Sequence, residues 1–323
     1  MNVEAVSART HIDGLTRYLQ DWPYKPHRWS AHATHADQLF VDRITRLIAA
    51  TPESSWTVSM DGGVAGIGLV EQLDWDTRIL GMQAARLHLL ARDQPGHREV
   101  AATLIERAVT HARGGRIRHL SVRVDAEDDP AIHGLEAAGF LNVDALMTFS
   151  GSPGSVLERA QPSPVQTRSG LLEEASVLGG IAADAFIHGR FHADPSIPRD
   201  TARELYRAWT AACCERAAAD EVIVALDDDR IVGFVACRML ADTVGHPTLA
   251  TGTIPLIASA SPGRGRGAGS ALIAAAAQWF SNRGAGTIEV GTQLRNVTAA
   301  RLYERNGFRL AAGALSFRKM IEA

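Results

Sequence analysis

Two clusters of residues in this chain are suited to chemistry. The first is Arg264-Gly265-Arg266-Gly267-Ala268-Gly269-Ser270, placed where an apolar strand gives way to a helix. Backbone N–H groups at a helix start lack intrahelical acceptors and carry the positive end of the helix dipole, so a pyrophosphate suits the position. Glycines at 265, 267 and 269 let the backbone approach phosphate oxygens, and Arg264 and Arg266 add charge-assisted contacts. No Gly-Lys-Ser/Thr follows, as a P-loop requires, and Gly263-x-Gly265-x-x-Ala268 lacks the third glycine of a dinucleotide loop. The second cluster is Asn296-Val-Thr-Ala299-Ala-Arg-Leu-Tyr303-Glu-Arg-Asn-Gly-Phe308, which sets a phenol two turns into a short helix. A pyrophosphate cradle and a nearby phenol point to acyl-CoA chemistry.

The elements that must hold these residues are legible on either side. An apolar strand, Thr253–Ala258, leads into the glycine run. The helix expected over Gly267–Arg283 keeps Leu272, Ala276 and Trp279/Phe280 on one face and ends at Gly284, a usual C-cap residue. Asn296 opens the short helix as an N-cap, and Asn306-Gly307 stops it.

The same order of elements occurs earlier in the chain. Gly139-Phe140 matches Gly307-Phe308 and Leu104-Ile105 matches Leu272-Ile273, in both cases 168 residues apart (307 − 139, 272 − 104). Hairpins are expected at Trp56–Met60 with Val64–Val70, joined by Asp61-Gly62-Gly63, and at Val222–Leu226 with Ile231–Met239; a long helix over Arg98–Arg113 matches the later one. The expected fold class is α/β (α+β), a tandem repeat in which each half is a mixed, mostly antiparallel sheet, splayed near its middle and flanked by helices. The Gly- and Pro-rich stretch 151–170 reads as a linker between a first domain, 1–150, and a second, 171–323.

Composition narrows the function further. At 323 residues the chain is long enough for two cores. A formal net charge of −3 argues against nucleic-acid binding, and no run of about eighteen apolar residues is present to span a bilayer. The N-terminus lacks a signal-peptide pattern, so a cytoplasmic protein is expected. Cys213, Cys214 and Cys237 show no metal or redox spacing and read as small buried hydrophobes. His27, His32 and His35, near Trp22 and Trp29, lack a fourth ligand and read as surface or interdomain residues; no metal is expected.

With both clusters in hand, the chain resembles the GNAT superfamily of acyl-CoA N-acyltransferases. The family signature Arg/Gln-x-x-Gly-x-Gly/Ala is matched by Arg264-x-x-Gly267-x-Gly269, and its second signature by Asn296, Ala299, Leu302-Tyr303 and Gly307-Phe308. The resemblance implies acetyl-CoA as donor, bound by Leu256, Ile257, Ala258, the run Arg264 to Ser270, Asn296 and Ala299. It implies direct transfer to an amine, with a bulge near Leu256–Ile257 exposing a backbone N–H for the oxyanion and Tyr303 protonating the departing thiolate. A phenol, ordinarily near pKa ~10, can donate to a thiolate, near ~8.5.

At the repeat offset the first half carries Gly96, Glu99, Ala101, Asp128 and Leu135 where the second has Arg264, Gly267, Gly269, Asn296 and Tyr303. It therefore reads as a degenerate copy kept for structure, for a homodimer contact or for shaping the acceptor pocket, with a second active site as the alternative. A narrower resemblance, to the dTDP-fucosamine acetyltransferase family, runs through Leu73–Gly81, Ala185–Asp200 with Tyr206-Arg-Ala-Trp209, and Val290–Gln293. It implies a small-molecule amine acceptor, an amino sugar linked to a nucleotide. The segment after Phe186 reads as an acceptor lid, with Arg190 for a phosphate, Phe191 for a base or sugar face, and His192 or Glu289 as a proton relay. Another small amine, such as an aminoglycoside or amino-acid derivative, and a non-catalytic acyl-CoA-binding protein stay open as alternatives.

Overall fold

The structure, a computed structural model, describes residues 2–5, 12–26, 28–29, 33–60, 62–91, 98–240, 250–260 and 265–322. Its chain forms two compact units, one of Met1–Ala145 with Gly313–Ala323 and one of Leu146–Ala312.

The first unit runs β1 (Asn2–Ala5), α1 (Ile12–Gln20), α2 (Ala33–Ala50), β2 (Ser55–Met60), β3 (Gly63–Gln72), α3 (Asp74–Leu80), β4 (Ala84–Ala91), α4 (Arg98–Gly114), β5 (His119–Asp125) and α5 (Asp129–Ala137). β6 (Leu141–Gly151) then leads into the second unit. There follow α6 (Pro153–Leu157), β7 (Gln166–Ser169), α7 (Ala175–Ala185), α8 (Arg190–Ala193), α9 (Arg199–Cys214), β8 (Glu221–Asp227), β9 (Arg230–Met239), β10 (Thr251–Ile254) and β11 (Ile257–Ser259). The last elements are α10 (Ala268–Ser281), β12 (Thr287–Gln293), α11 (Val297–Arg305) and β13 (Arg309–Met320).

The two sheets have the same plan. In the first, β1, β2, β3 and β4 pair antiparallel in turn, β4 pairs β5 in parallel, and β5 pairs the end of β13 antiparallel. In the second, β7, β8, β9 and β10 pair antiparallel in turn, β10 pairs β12 in parallel, and β12 pairs Leu146–Gly151 of β6 antiparallel. Adding 168 to β5 and α5 gives the bounds of β12 and α11.

The sheet and helix content matches the sequence reading, and the unit boundaries differ from it at the ends of the repeats. Closing strands are traded: the core of the first unit takes Phe317 and Ile321 from the chain's end, and that of the second takes Phe149. Residues 151–170, read as a linker, are folded in the second unit. Ser152 caps α6 by accepting from Ser155 N at 3.1 Å, Pro153 occupies the first turn, and Pro153 and Val156 are buried. Proline at a helix start costs nothing, since the N–H it lacks has no helical acceptor. The Gly/Pro content there marks a helix start and turns.

α10 forms because Ala268, Leu272, Ile273, Ala276, Ala277, Trp279 and Phe280 fall on one buried face. It terminates at Gly284, whose φ of 74° lets Ala285 N reach back to Phe280 O at 3.0 Å. The packing beneath is close: a Cβ on Gly252 would sit 2.3 Å from the Phe280 ring. Cys213 and Cys237 are buried and Cys214 half-buried; burial pushes the Cys213 thiol up to about 12 and raises the other two. Among the described residues no helix is long and apolar enough to cross a membrane.

Candidate active site

The strand expected over Thr253–Ala258 is broken into β10 and β11, and the break opens a gap in the sheet. Thr253 pairs with Arg238 on β9 and Ile257 with Val235, so four steps along one strand oppose three along the other (257 − 253, 238 − 235). This is a one-residue bulge at Ile254-Pro255-Leu256. Pro255, which has no N–H to leave unpaired, suits it. β10 pairs β12 only as far as Ile254 with Val290; past the bulge β11 stays on β9, while β12 continues to Gln293 along β6.

Of Leu256, Ile257 and Ala258, only Ile257 turns its backbone toward that gap. Leu256 O accepts from Ala236 N, and Ala260 N donates to Val232 O, both at 2.8 Å. Even-numbered residues therefore face β9, and Ile257 and Ser259 face away from it. Ser259 was not singled out from the sequence; it shares the orientation of Ile257 because it lies two residues on.

Next to the gap, the chain enters α10 through two left-handed glycines, Gly265 at φ 79° and Gly267, the N-cap, at φ 88°. A side chain at either position would be strained by about 1–2 kcal/mol. Gly265, Arg266 and Gly267 are exposed, whereas Ala268 is buried. Gly269 serves packing: a Cβ there would lie 2.9 Å from Leu302 Cδ2 on α11. Ser270 Oγ accepts from Asn306 Nδ2 at 3.1 Å, a second tie between the helices. Arg266 forms an ion pair with Asp227 of the β8–β9 turn. Arg264 lies outside the described residues.

Asn296 is the N-cap of α11, with Oδ1 accepting Ala299 N at 3.2 Å. Both residues are thereby engaged in the helix start, and the carboxamide Nδ2 of Asn296 is the group left to address a ligand. Tyr303 is 3% exposed, with ring centroids 5.6 Å from Phe149 and 6.0 Å from Phe308. Burial alone pushes its phenol pKa up, and its hydroxyl has no partner among the described residues. Glu289 is buried on β12 between Ile288 and Val290, which belong to the core under α10, so strand alternation puts it on the opposite face of the sheet.

The segment after Phe186 carries a turn of helix, α8, tied down on α9. Phe186 stacks on Tyr206 at 4.7 Å, His192 stacks on the same ring at 5.7 Å, and Tyr206 stacks on Trp209 at 6.2 Å. A Cβ on Gly189 would come within 2.1 Å of Tyr206 Oη, so a side chain there would require the Tyr206 ring to move. Phe191, read as a platform for a base or sugar, is 5% exposed and points into the protein, with the Arg190 guanidinium over its ring at 4.2 Å. His192 Nδ1 is buried without a partner among the described residues. Burial, then Arg203, Arg199 and His188, lower the His192 pKa. His27 and His32, and the side chain of His35, lie outside the described residues.

In the second unit a mixed sheet that splays at one bulge thus lies beside a helix entered through exposed left-handed glycines. Residues 186–308 match the model of the Acetyltransferase (GNAT) family. The chain carries a GNAT acetyltransferase domain and is an N-acetyltransferase; the family uses acetyl-CoA. It is similar to the spore coat polysaccharide biosynthesis protein SpsD of Bacillus subtilis, 26% identical over 250 residues that cover 75% of this chain and 80% of that protein. The fold is similar to the GCN5-related N-acetyltransferase of Sphaerobacter thermophilus, with a TM-score of 0.59 and 16% identity over 88% of this chain and 86% of that one. It is also similar to a tandem GNAT protein from the clavulanic acid biosynthesis pathway, with a TM-score of 0.56 and 15% identity over 83% of each chain.

Proposed function

We propose that the second unit transfers an acetyl group from acetyl-CoA to the primary amine of an amino sugar, one linked to a nucleotide. The observation that carries the reading is the juxtaposition of the β10–β11 bulge with the glycine entry to α10. The residues present fit a pyrophosphate: Gly265 and Gly267 are exposed and left-handed, and the first N–H groups of α10 have no helical acceptors. Gly265 to Ser270, with Arg264 and Arg266, would hold the donor's pyrophosphate, and Asn296 would contribute its carboxamide. When bound, acetyl-CoA supplies an activated thioester carbonyl.

Each remaining role falls to a group of this chain. Ile257 N–H, turned away from β9, stabilises the oxygen on which negative charge develops. Tyr303 Oη gives its proton to the leaving sulfur. Burial keeps the phenol protonated, and the same apolar surroundings raise the proton affinity of a thiolate beside it. His192, held neutral with Nδ1 unpartnered, takes the proton of the attacking amine, directly or through water. Glu289 is the alternative base.

The amino-sugar acceptor rests on the likeness to SpsD, whose name places it in polysaccharide biosynthesis, and on the segment Phe186–Asp194. Arg190 would meet a phosphate of the nucleotide. Incubating the full chain with acetyl-CoA and a panel of dTDP-linked amino sugars, aminoglycosides and amino-acid amides, with products read by mass spectrometry, tests this. Acetylation confined to the nucleotide sugars is the expected result, and acetylation of the other amines alone overturns the acceptor assignment.

A further inference from the structure

The first unit lacks the glycine loop, the asparagine and the tyrosine, yet it keeps an open cleft at the matching place in its fold. β4 and β5 pair only over Ala84–Leu87 with His119–Val122. Beyond that point β4 follows β3 and β5 follows β13. A cavity of about 170 Å³ opens where they part. A pyrophosphate finds no counterpart here, because Glu99 stands in the first turn of α4 and opposes an anion.

One wall of the cavity is aromatic. Trp22 is 3% exposed and meets Tyr24 edge-on at 5.5 Å, and Phe40 and Ile44 of α2 complete the wall. These rings sit on the buried cluster that joins α1 and α2 to Ile67, Leu69 and Leu90, so they are held in place.

The other wall is polar, and its acidic members are engaged. Asp125 pairs with Arg28 at 2.8 Å, and Asp128 caps α5 by accepting from Ala131 N at 3.2 Å. The cations are placed differently. Arg43 is exposed on α2 and makes no ion pair among the described residues. Arg123 is fixed on β5 by its Nε bond to Ser316 Oγ at 3.3 Å. His88 sits at the parting point, with Nε2 2.7 Å from Glu71 Oε2. Burial lowers the His88 pKa against the raising effect of Glu71. The neutral ring donates from Nε2 to the carboxylate and keeps Nδ1 as an acceptor.

From an aromatic wall facing two guanidinium groups and an imidazole acceptor, we propose that this cleft binds a small carboxylate with an apolar body and a hydrogen-bond donor beside the carboxylate, the pattern of an apolar amino or hydroxy acid. Arg43 and Arg123 take the carboxylate, His88 Nδ1 accepts from the neighbouring donor, and Trp22, Tyr24 and Phe40 receive the apolar body. The site is separate from the acetyl-transfer site and stands whether or not the acceptor assignment above is right.

Fluorine NMR of the full chain titrated with para-fluorophenylalanine tests it, with and without saturating acetyl-CoA. Saturable binding that persists with acetyl-CoA present is expected, weakened about tenfold or more in Arg43→Glu and largely kept in Arg43→Lys. Because Arg43 is exposed, neither variant disturbs the core. Para-fluorotoluene, which keeps the ring and lacks the carboxylate, is expected not to saturate. No saturation by the amino acid, its displacement by acetyl-CoA, equal affinity in Arg43→Glu, or equal binding of para-fluorotoluene would each overturn the proposal.

Discussion

Asp128 and Asn296, 168 residues apart (296 − 128), cap equivalent helices in the same way, each accepting the N–H of the residue three further on, Ala131 or Ala299, at 3.2 Å. The cap is a requirement of the fold that Asp and Asn both meet. What separates them is charge and the carboxamide N–H, which a ligand could use only at Asn296. Replacing Asn296 with Asp is expected to leave the thermal midpoint near wild type while weakening acetyl-CoA in calorimetry. Asn296→Ala should lose stability as well, by about 1 kcal/mol. A large drop in midpoint for the Asp variant would show that the two positions are not equivalent.

Gly267 holds φ 88° at the start of α10, and a Cβ there would meet Ser163 Oγ at 3.3 Å. Gly267→Ala should cost about 1–2 kcal/mol in urea denaturation. It should also weaken the donor, since the N–H groups that face it would be re-aimed. Unchanged acetyl-CoA affinity in a folded Gly267→Ala chain would remove the loop from the donor site.

Arg266 is paired with Asp227 in the structure, so a pyrophosphate bound as proposed would compete with that carboxylate for it. Removing the competitor in Asp227→Ala is expected to tighten acetyl-CoA by up to about fivefold, the scale of an exposed ion pair. Arg266→Ala should weaken it. Opposite signs in the two titrations are the signature, and equal signs would assign Arg266 to the turn alone.

Acid should destabilise the chain partly through His88 and Glu71. His88 has a folded pKa below its ordinary 6.5, so the unfolded chain takes up the proton first and stability falls as pH drops through 6.5. Glu71 is held below its ordinary 4.5, chiefly by its bond to His88, and its contribution is lost at lower pH, through 4.5 and beneath. The thermal midpoint of His88→Gln, followed from pH 7.5 to about 5.5, should therefore decline less steeply than wild type. His111 and His192, also lowered by burial, leave a residual slope in the variant.

Much of this architecture is readable from local signals. Gly284, Asn296 and Gly307 punctuate helices because positive φ and side-chain caps are local requirements, and the repeat offset is read from Gly139-Phe140 against Gly307-Phe308 and Leu104-Ile105 against Leu272-Ile273. The resemblance places a bulge near Leu256–Ile257, and Pro255 is the one residue of Thr253–Ala258 that departs from a strand pattern, but only pairing with β9 shows the extra residue and the break into two strands. Phe191 looks like a surface aromatic beside Arg190 and His192, but it is buried, a tertiary outcome that its neighbours in sequence do not signal. The trade of closing strands is a tertiary choice between two strands that start at equivalent places in the repeat, 168 residues apart (309 − 141). The first-unit cleft was invisible for the same reason. Trp22, His88 and Arg123 are far apart in sequence and meet only where β4 and β5 part.

The central claim, that Tyr303 supplies the proton on which acetyl transfer depends, is tested most directly by steady-state kinetics of Tyr303→Phe beside calorimetry with acetyl-CoA, using the acceptor identified by mass spectrometry. The ring and its packing on Phe149 and Phe308 survive that change. The account predicts a fall in kcat of roughly a hundredfold or more with donor affinity unchanged. A variant that turns over at the wild-type rate would contradict it.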